Sequence, residues 1–275
     1  MMPIQIVESQ SMEGNNTTLA QSGFTILEVL VALVMGVVFF AAICTLIIDQ
    51  TQTHEDHQMK VMMQQDGRAV LSILSNELMI AGYSPKPDQK AGMTQAGIDH
   101  FAFDYYGGTT PTSVSYSWHV EGDGDMVVRR NGNNNAMVKN VEAFKVLYAY
   151  DADDLGAGSD KYGVLEKDAG GDIYWGFDDT PDDADDKLTK YYTLDGSGKL
   201  ATNDPTPTDI SAQPSVDRIR AAKIWLLMRS NKRKNHDFVE TQVDFIPGLN
   251  VDNLDTENYS YRLYTTTVKL RNMYY

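Results

Sequence analysis

Cations, cysteine and helix breakers in the first long apolar run are what this sequence has least of. Against 38 Asp and Glu it carries 23 Lys and Arg, a net charge of −15. Binding of phosphate backbones needs clustered Lys and Arg, so the lack of a basic stripe excludes nucleic acid as a partner. The single cysteine, Cys44, sits in an apolar run and excludes an intrachain disulfide. It reads as a small apolar residue facing lipid or another helix, and Ile43 before it does not suit a lipoprotein signal. No proline occurs between Phe24 and Ala81, so nothing there forces a helix to end. A hydrophobic share of 42% excludes wholesale disorder, and 275 residues allow one substantial domain plus an added element.

Residues 1–23 are a polar leader without Lys or Arg, with Met12 as an alternative start. Residues 24–48 follow as an apolar run interrupted by one charge, Glu28. Sixteen of those 25 positions are Leu, Ile, Val or Phe. At roughly −0.3 to −0.6 kcal/mol each they outweigh the roughly +3 kcal/mol of a carboxylate, so the run inserts into a bilayer as a helix. A secretory signal would have a shorter apolar core and a basic start.

From 49 to 82 the helix continues as an amphipathic half. Met59, Met63, Val70, Leu74, Leu78 and Ala81 recur at helical steps, and Gly82 and Pro85 supply the stop. The remainder, 83–275, reads as a β-rich globular domain. Val114, Tyr116, Trp118 and Val120 alternate with polar residues, and 121–125 reads as a hairpin turn into Met126 to Val128. Further strands are expected at Val141 to Tyr150, Ile219 to Met228, Thr241 to Phe245 and Ser260 to Leu270. The segment 151–210 holds 16 Asp and Glu against 5 Lys and Arg, and reads as an acidic surface insertion. The expected fold is therefore α+β: a long N-terminal helix, transmembrane then amphipathic, packed on an antiparallel sheet with an acidic loop insertion.

Enzyme-like patterns do not assemble. His54 and His57 lie at i, i+3 without an HExxH arrangement and read as solvated helix residues. Gly156-Ala157-Gly158 lacks the context of a dinucleotide loop, there is no GxSxG elbow, and Asp123 and Asp125 suit a turn. No catalytic residue is expected.

The most specific signal is Gly23-Phe24-Thr25-Ile26-Leu27-Glu28-Val29-Leu30, which resembles the processing motif of type IV prepilins. The resemblance implies cleavage between Gly23 and Phe24 by a prepilin peptidase, N-methylation of Phe24, and a role for Glu28 in setting axial register by pairing with the terminal amine of a neighbouring subunit. A carboxylate in hydrocarbon needs such a partner. Gln65-Asp66-Gly67-Arg68-Ala69, Asn76 to Tyr83, Val138 to Phe144, Ile219 to Ile224 and Tyr264 to Asn272 look like a PilW-type minor pilin, with J-type pseudopilins of type II secretion sharing the same architecture. Membership would imply a subunit that primes assembly or sits at the tip of a pilus. Its partners would be other minor and major pilins through the N-terminal helix, the inner-membrane assembly platform and a large tip adhesin. It would have a single inner-membrane pass, a periplasmic domain and later residence in the pilus. A membrane-anchored periplasmic binding protein without a filament role would explain the span but not the motif.

No cofactor is expected, with calcium the one ion to consider. Asp151, Asp153, Asp154 and Asp160, or Asp178, Asp179, Asp182 and Asp183, place carboxylates close in sequence. The first cluster departs from an EF-hand loop at Leu155 and Tyr162, and a solvated acidic loop is the alternative.

Overall fold

A computed structural model describes residues 24–86, 88–122, 124–132, 136–151, 164–180, 187–200, 206–211, 213–230, 245–256 and 258–273. The expected strand at Thr241 to Phe245 falls mostly outside them, and Phe245 itself is not in a strand. The chain divides into two units, 1–52 and 53–275.

Helix α1 spans Ile26–Ile80. Its first half is exposed on every side, with Leu27, Leu30, Leu33, Phe39 and Phe40 all uncovered. The hydroxyls in this half bond back within the helix, Thr45 Oγ1 to Ala41 C=O and Thr51 Oγ1 to Ile47 C=O. That leaves those two groups satisfied without water, as an apolar surrounding requires. The second half buries one stripe: Met63, Gly67, Val70, Leu71, Leu74 and Leu78, with Ala81 just beyond. Steps of three and four keep these residues on one face. Leu74 and Leu78 are fully enclosed. Gly82, at φ 76, ends the helix in the left-handed region, and its N–H donates to Asp104 C=O.

Two antiparallel sheets build the second unit. The first is a meander of β1 (Met93–Ala96), β2 (His100–Tyr106), β3 (Pro111–Val120), β4 (Met126–Arg130) and β5 (Ala136–Lys139), in that order. In β3 the alternation reads directly as burial, with Val114 and Tyr116 inside and Ser113 and Ser115 facing outward or half-covered. The 121–125 turn closes the β3–β4 hairpin, Glu121 N–H donating to Asp125 C=O at 2.7 Å. The chain then enters the second sheet through one residue. Asn140, at φ 61, stands between β5 and β6 (Val141–Tyr150), and Asn tolerates that left-handed geometry better than other residues with a Cβ.

The second sheet comprises β6, β7 (Ile173–Phe177), β8 (Lys190–Leu194), β9 (Thr208–Asp209), β10 (Ile219–Arg229) and β11 (Tyr261–Lys269), ordered β11-β10-β6-β7-β8-β9. Strand β10 pairs on both sides and is buried almost throughout, which explains its near-continuous apolar sequence. Strands β7, β8 and β9 arise within 151–210, so that segment adds more than an acidic surface. Trp175, Phe177, Leu188, Tyr192 and Leu194 from it join the core.

The second half of α1 is tied to both sheets. Glu77 accepts hydrogen bonds from Tyr116 Oη at 2.6 Å and Arg130 Nε at 3.1 Å. Gly67 lies under the Tyr264 ring so closely that an added Cβ would sit 2.5 Å from a ring carbon, while Tyr264 Oη donates to Met63 C=O at 3.2 Å. Glycine is required here by that close approach.

Candidate assembly site at the head of the helix

The residues singled out in the sequence converge on the start of α1. Gly23 lies outside the described residues, whereas Phe24 is exposed at 87%. Thr25 precedes the first helical residue, and its C=O accepts from Val29 N–H at 3.2 Å, the first bond of the helical ladder. Glu28 Oε2 accepts from Thr25 N–H at 2.9 Å and Thr25 Oγ1–H at 3.1 Å, while Glu28 N–H donates back to Thr25 Oγ1 at 3.3 Å.

This reciprocal pairing is a capping box, Thr at the N-cap and Glu three residues on. Helix starts leave N–H groups unpaired, and in hydrocarbon each unpaired group costs several kcal/mol. The carboxylate also sits at the positive end of the helix dipole. Only Oε2 is used. Glu28 Oε1 makes no hydrogen bond with any described residue. The pattern T-x-x-E ahead of an apolar run was a readable signal for this arrangement, and the motif-based reading of Glu28 passed over it.

The acidic cluster has a different fate. Asp151 is buried at 1% exposure, and its Oδ2 accepts from Arg220 Nη2 at 3.4 Å. Arg220 is itself buried and donates through Nη1 to the carbonyls of Asp217, Ile219 and Met273, so this pair holds the chain's last described residue against the second sheet. To ligate an ion, Asp151 would have to leave that guanidinium. Asp153, Asp154 and Asp160 lie outside the described residues, as do Asp182 and Asp183. Asp178 accepts from Thr180 N–H, and Asp179 pairs with Lys190 at 2.8 Å. Among the described residues no group of three or more His, Cys, Asp or Glu gathers as metal ligands would. His54 and His57 are exposed on α1, and His54 contacts Gln58.

One N-terminal helix, long and apolar enough in its first half to cross a membrane, and antiparallel sheets bound to its second half define a pilin-like protein. The model of the family described as "PilW: Type IV Pilus-assembly protein W" matches residues 123–272, more than half of the chain, and the protein belongs to that family. Among solved structures it is similar to a type IV-like pilin, TTHA1219 from Thermus thermophilus, at 13% identity, covering 76% of this chain and 97% of that one with a TM-score of 0.39. No curated protein matches the sequence.

Proposed function

We propose that this chain is a minor pilin, a structural subunit that primes assembly of a type IV pilus or sits at its tip after cleavage between Gly23 and Phe24 and methylation of the new amine. The observation that carries the proposal is the divided carboxylate of Glu28: one oxygen closes the helix start, and the other makes no hydrogen bond among the described residues, which suits it to accept from a neighbour's terminal amine. Capping holds the carboxylate oriented before any partner binds, so pairing costs little reorganisation. The exposed apolar half of α1 would hold the precursor in the inner membrane, with the domain in the periplasm, and then bury against other pilins. A J-type pseudopilin would have the same helix head, and membership of the pilus-assembly family favours the pilus. Prepilin peptidase, the assembly platform, other pilins and a tip adhesin are the partners this role requires.

Intact-mass measurement of protein extracted from membranes tests the proposal. A loss of 23 residues and the gain of one methyl group in place of an N–H hydrogen are expected, the loss being 12 residues if synthesis starts at Met12. A mature chain that begins anywhere but Phe24 overturns it.

A further inference from the structure

The second sheet ends at β9, two residues long, on one side and at β11, nine residues long, on the other. Leu270 N–H donates to Arg220 C=O at 2.9 Å, Ser230 N–H donates to Ser260 C=O at 2.8 Å, and Ala221 stands opposite Lys269. In an antiparallel ladder bonded and non-bonded pairs alternate, so the even-numbered residues of β11 bond to β10. The N–H and C=O groups of Leu263, Thr265, Thr267 and Lys269 therefore point away from the sheet, and none of them bonds to another described residue.

The charges along this edge run against the rest of the chain. Arg262, Lys269 and Arg271 are exposed, and none pairs with a carboxylate among the described residues. Arg262 lies over the Tyr264 ring at 5.8 Å and near Lys60 of α1, so it adds positive charge beside this edge from the face that the helix covers. α1 packs on the face of β11 that carries Tyr264, and Thr265 and Thr267 on the other face are exposed. A long unpaired edge is open to pairing with whatever strand reaches it, and cations on it repel a second copy of the same strand. The same cations favour a strand of opposite charge.

We propose that the outer edge of β11 is a docking site for an extended, acid-rich segment of a partner protein, which adds to the second sheet as a further strand. Main-chain bonds from Leu263, Thr265, Thr267 and Lys269 supply the pairing, and Arg262, Lys269 and Arg271 select the charge. This goes beyond the filament role of the helix, since it uses a surface on the sheet.

Full-length protein in detergent is tested with a blocked peptide, Glu-Val-Thr-Val-Glu-Val-Thr-Val-Glu, and with its Lys counterpart, by hydrogen exchange resolved to β11. At millimolar concentration the acidic peptide is expected to slow exchange of the Leu263, Thr265 and Thr267 amides at least tenfold, and less so as salt is raised. The Lys peptide is expected to leave them unchanged. Thr267→Pro removes one outward donor that β10 does not use, and is expected to retain the melting temperature and lose the protection. If that variant does not fold, the pair Arg262→Glu and Lys269→Glu replaces it and is expected to exchange the preference in favour of the Lys peptide. No protection by the acidic peptide, equal protection by both, or protection that grows with protein concentration alone overturns the proposal.

Discussion

Glu28 caps the helix start through Oε2, and substitution can separate that cap from the register role proposed for the same carboxylate. Glu28→Gln keeps an acceptor for Thr25 N–H and Oγ1–H, so the helix should start at the same residue, yet it removes the charge that the proposed pairing with an amine would need. Membrane insertion is expected to persist in Glu28→Gln and Glu28→Ala alike, because losing a carboxylate eases insertion. Incorporation into sheared filaments is expected to fall at least tenfold in both. Wild-type incorporation of Glu28→Gln would leave the cap as the only function of this residue. A second residue-scale prediction concerns Asp99, whose carboxyl is held below its ordinary value of 3.8 first by the hydrogen bond with His100 Nδ1 at 2.8 Å. A depressed carboxyl contributes stability that is fully present above the ordinary value and is lost as pH falls through the lower folded value. Because the side chain is 41% exposed, the contribution is about 0.5 kcal/mol or less. Asp99→Asn should melt slightly below the wild type at pH 6, and the gap should close as pH is lowered toward 3.

At the scale of elements, the contact between α1 and β11 is the most sensitive joint. Gly→Ala in an exposed helix stabilises by roughly 1 kcal/mol. At Gly67 the sign should reverse, because the new methyl meets a ring that its own hydroxyl anchors to Met63. Gly67→Ala is expected to cost about 1–3 kcal/mol in thermal unfolding, and Tyr264→Ala in the same chain should recover part of that loss. If the two substitutions simply add, the ring is not the obstacle. Arg220 makes a comparable joint near Met273: Arg220→Met removes a buried guanidinium shared by Asp151 and three carbonyls, at about 3–5 kcal/mol, and Arg220→Lys should not restore stability because one ammonium cannot reach carbonyls and carboxylate together.

The elements that were legible in the sequence are those whose neighbours impose a simple pattern. β6, β10 and β11 are long, and β3 alternates; the stripe from Met63 to Leu78 keeps helical spacing, missing only Gly67 and Leu71. β7 and β8 were hidden by the charge of their surroundings. Ile173 to Phe177 becomes a strand only because β6 and β8 flank it, and no local feature announces those partners. β2 was obscured by aromatics on consecutive positions, since Tyr105 and Tyr106 break the alternation that Phe101 and Phe103 begin. For the candidate site, Glu28 stood out as a lone carboxylate in an apolar run. The pairing of Asp151 with Arg220 joins residues 69 apart and needed the fold.

At the scale of the whole molecule, the division at Gln52 and Thr53 predicts that the second unit is separable. It contains the buried stripe of α1 and both sheets, so a chain beginning at Thr53 is expected to be a soluble monomer with one cooperative melting transition. Leu74→Ala in that chain should cost about 2–5 kcal/mol, since Leu74 is wholly enclosed. Aggregation of the shortened chain, or a broad melt, would show that the first half of the helix is needed for folding.

The hydrogen bond from Tyr264 to Met63 closes a span of 201 residues, and that from Asn272 to Met79 a span of 193. At roughly 5–20 residues per second of synthesis, the buried stripe of α1 waits about 10–40 s for the strand that covers it. Throughout that interval the ribosome still holds the end of the chain, and the stripe from Met63 to Leu78 is open to chaperones, to proteases and to the stripes of other nascent subunits. Completion of β11 is thus a clock: the stripe cannot be covered before Tyr264 and Asn272 have been made.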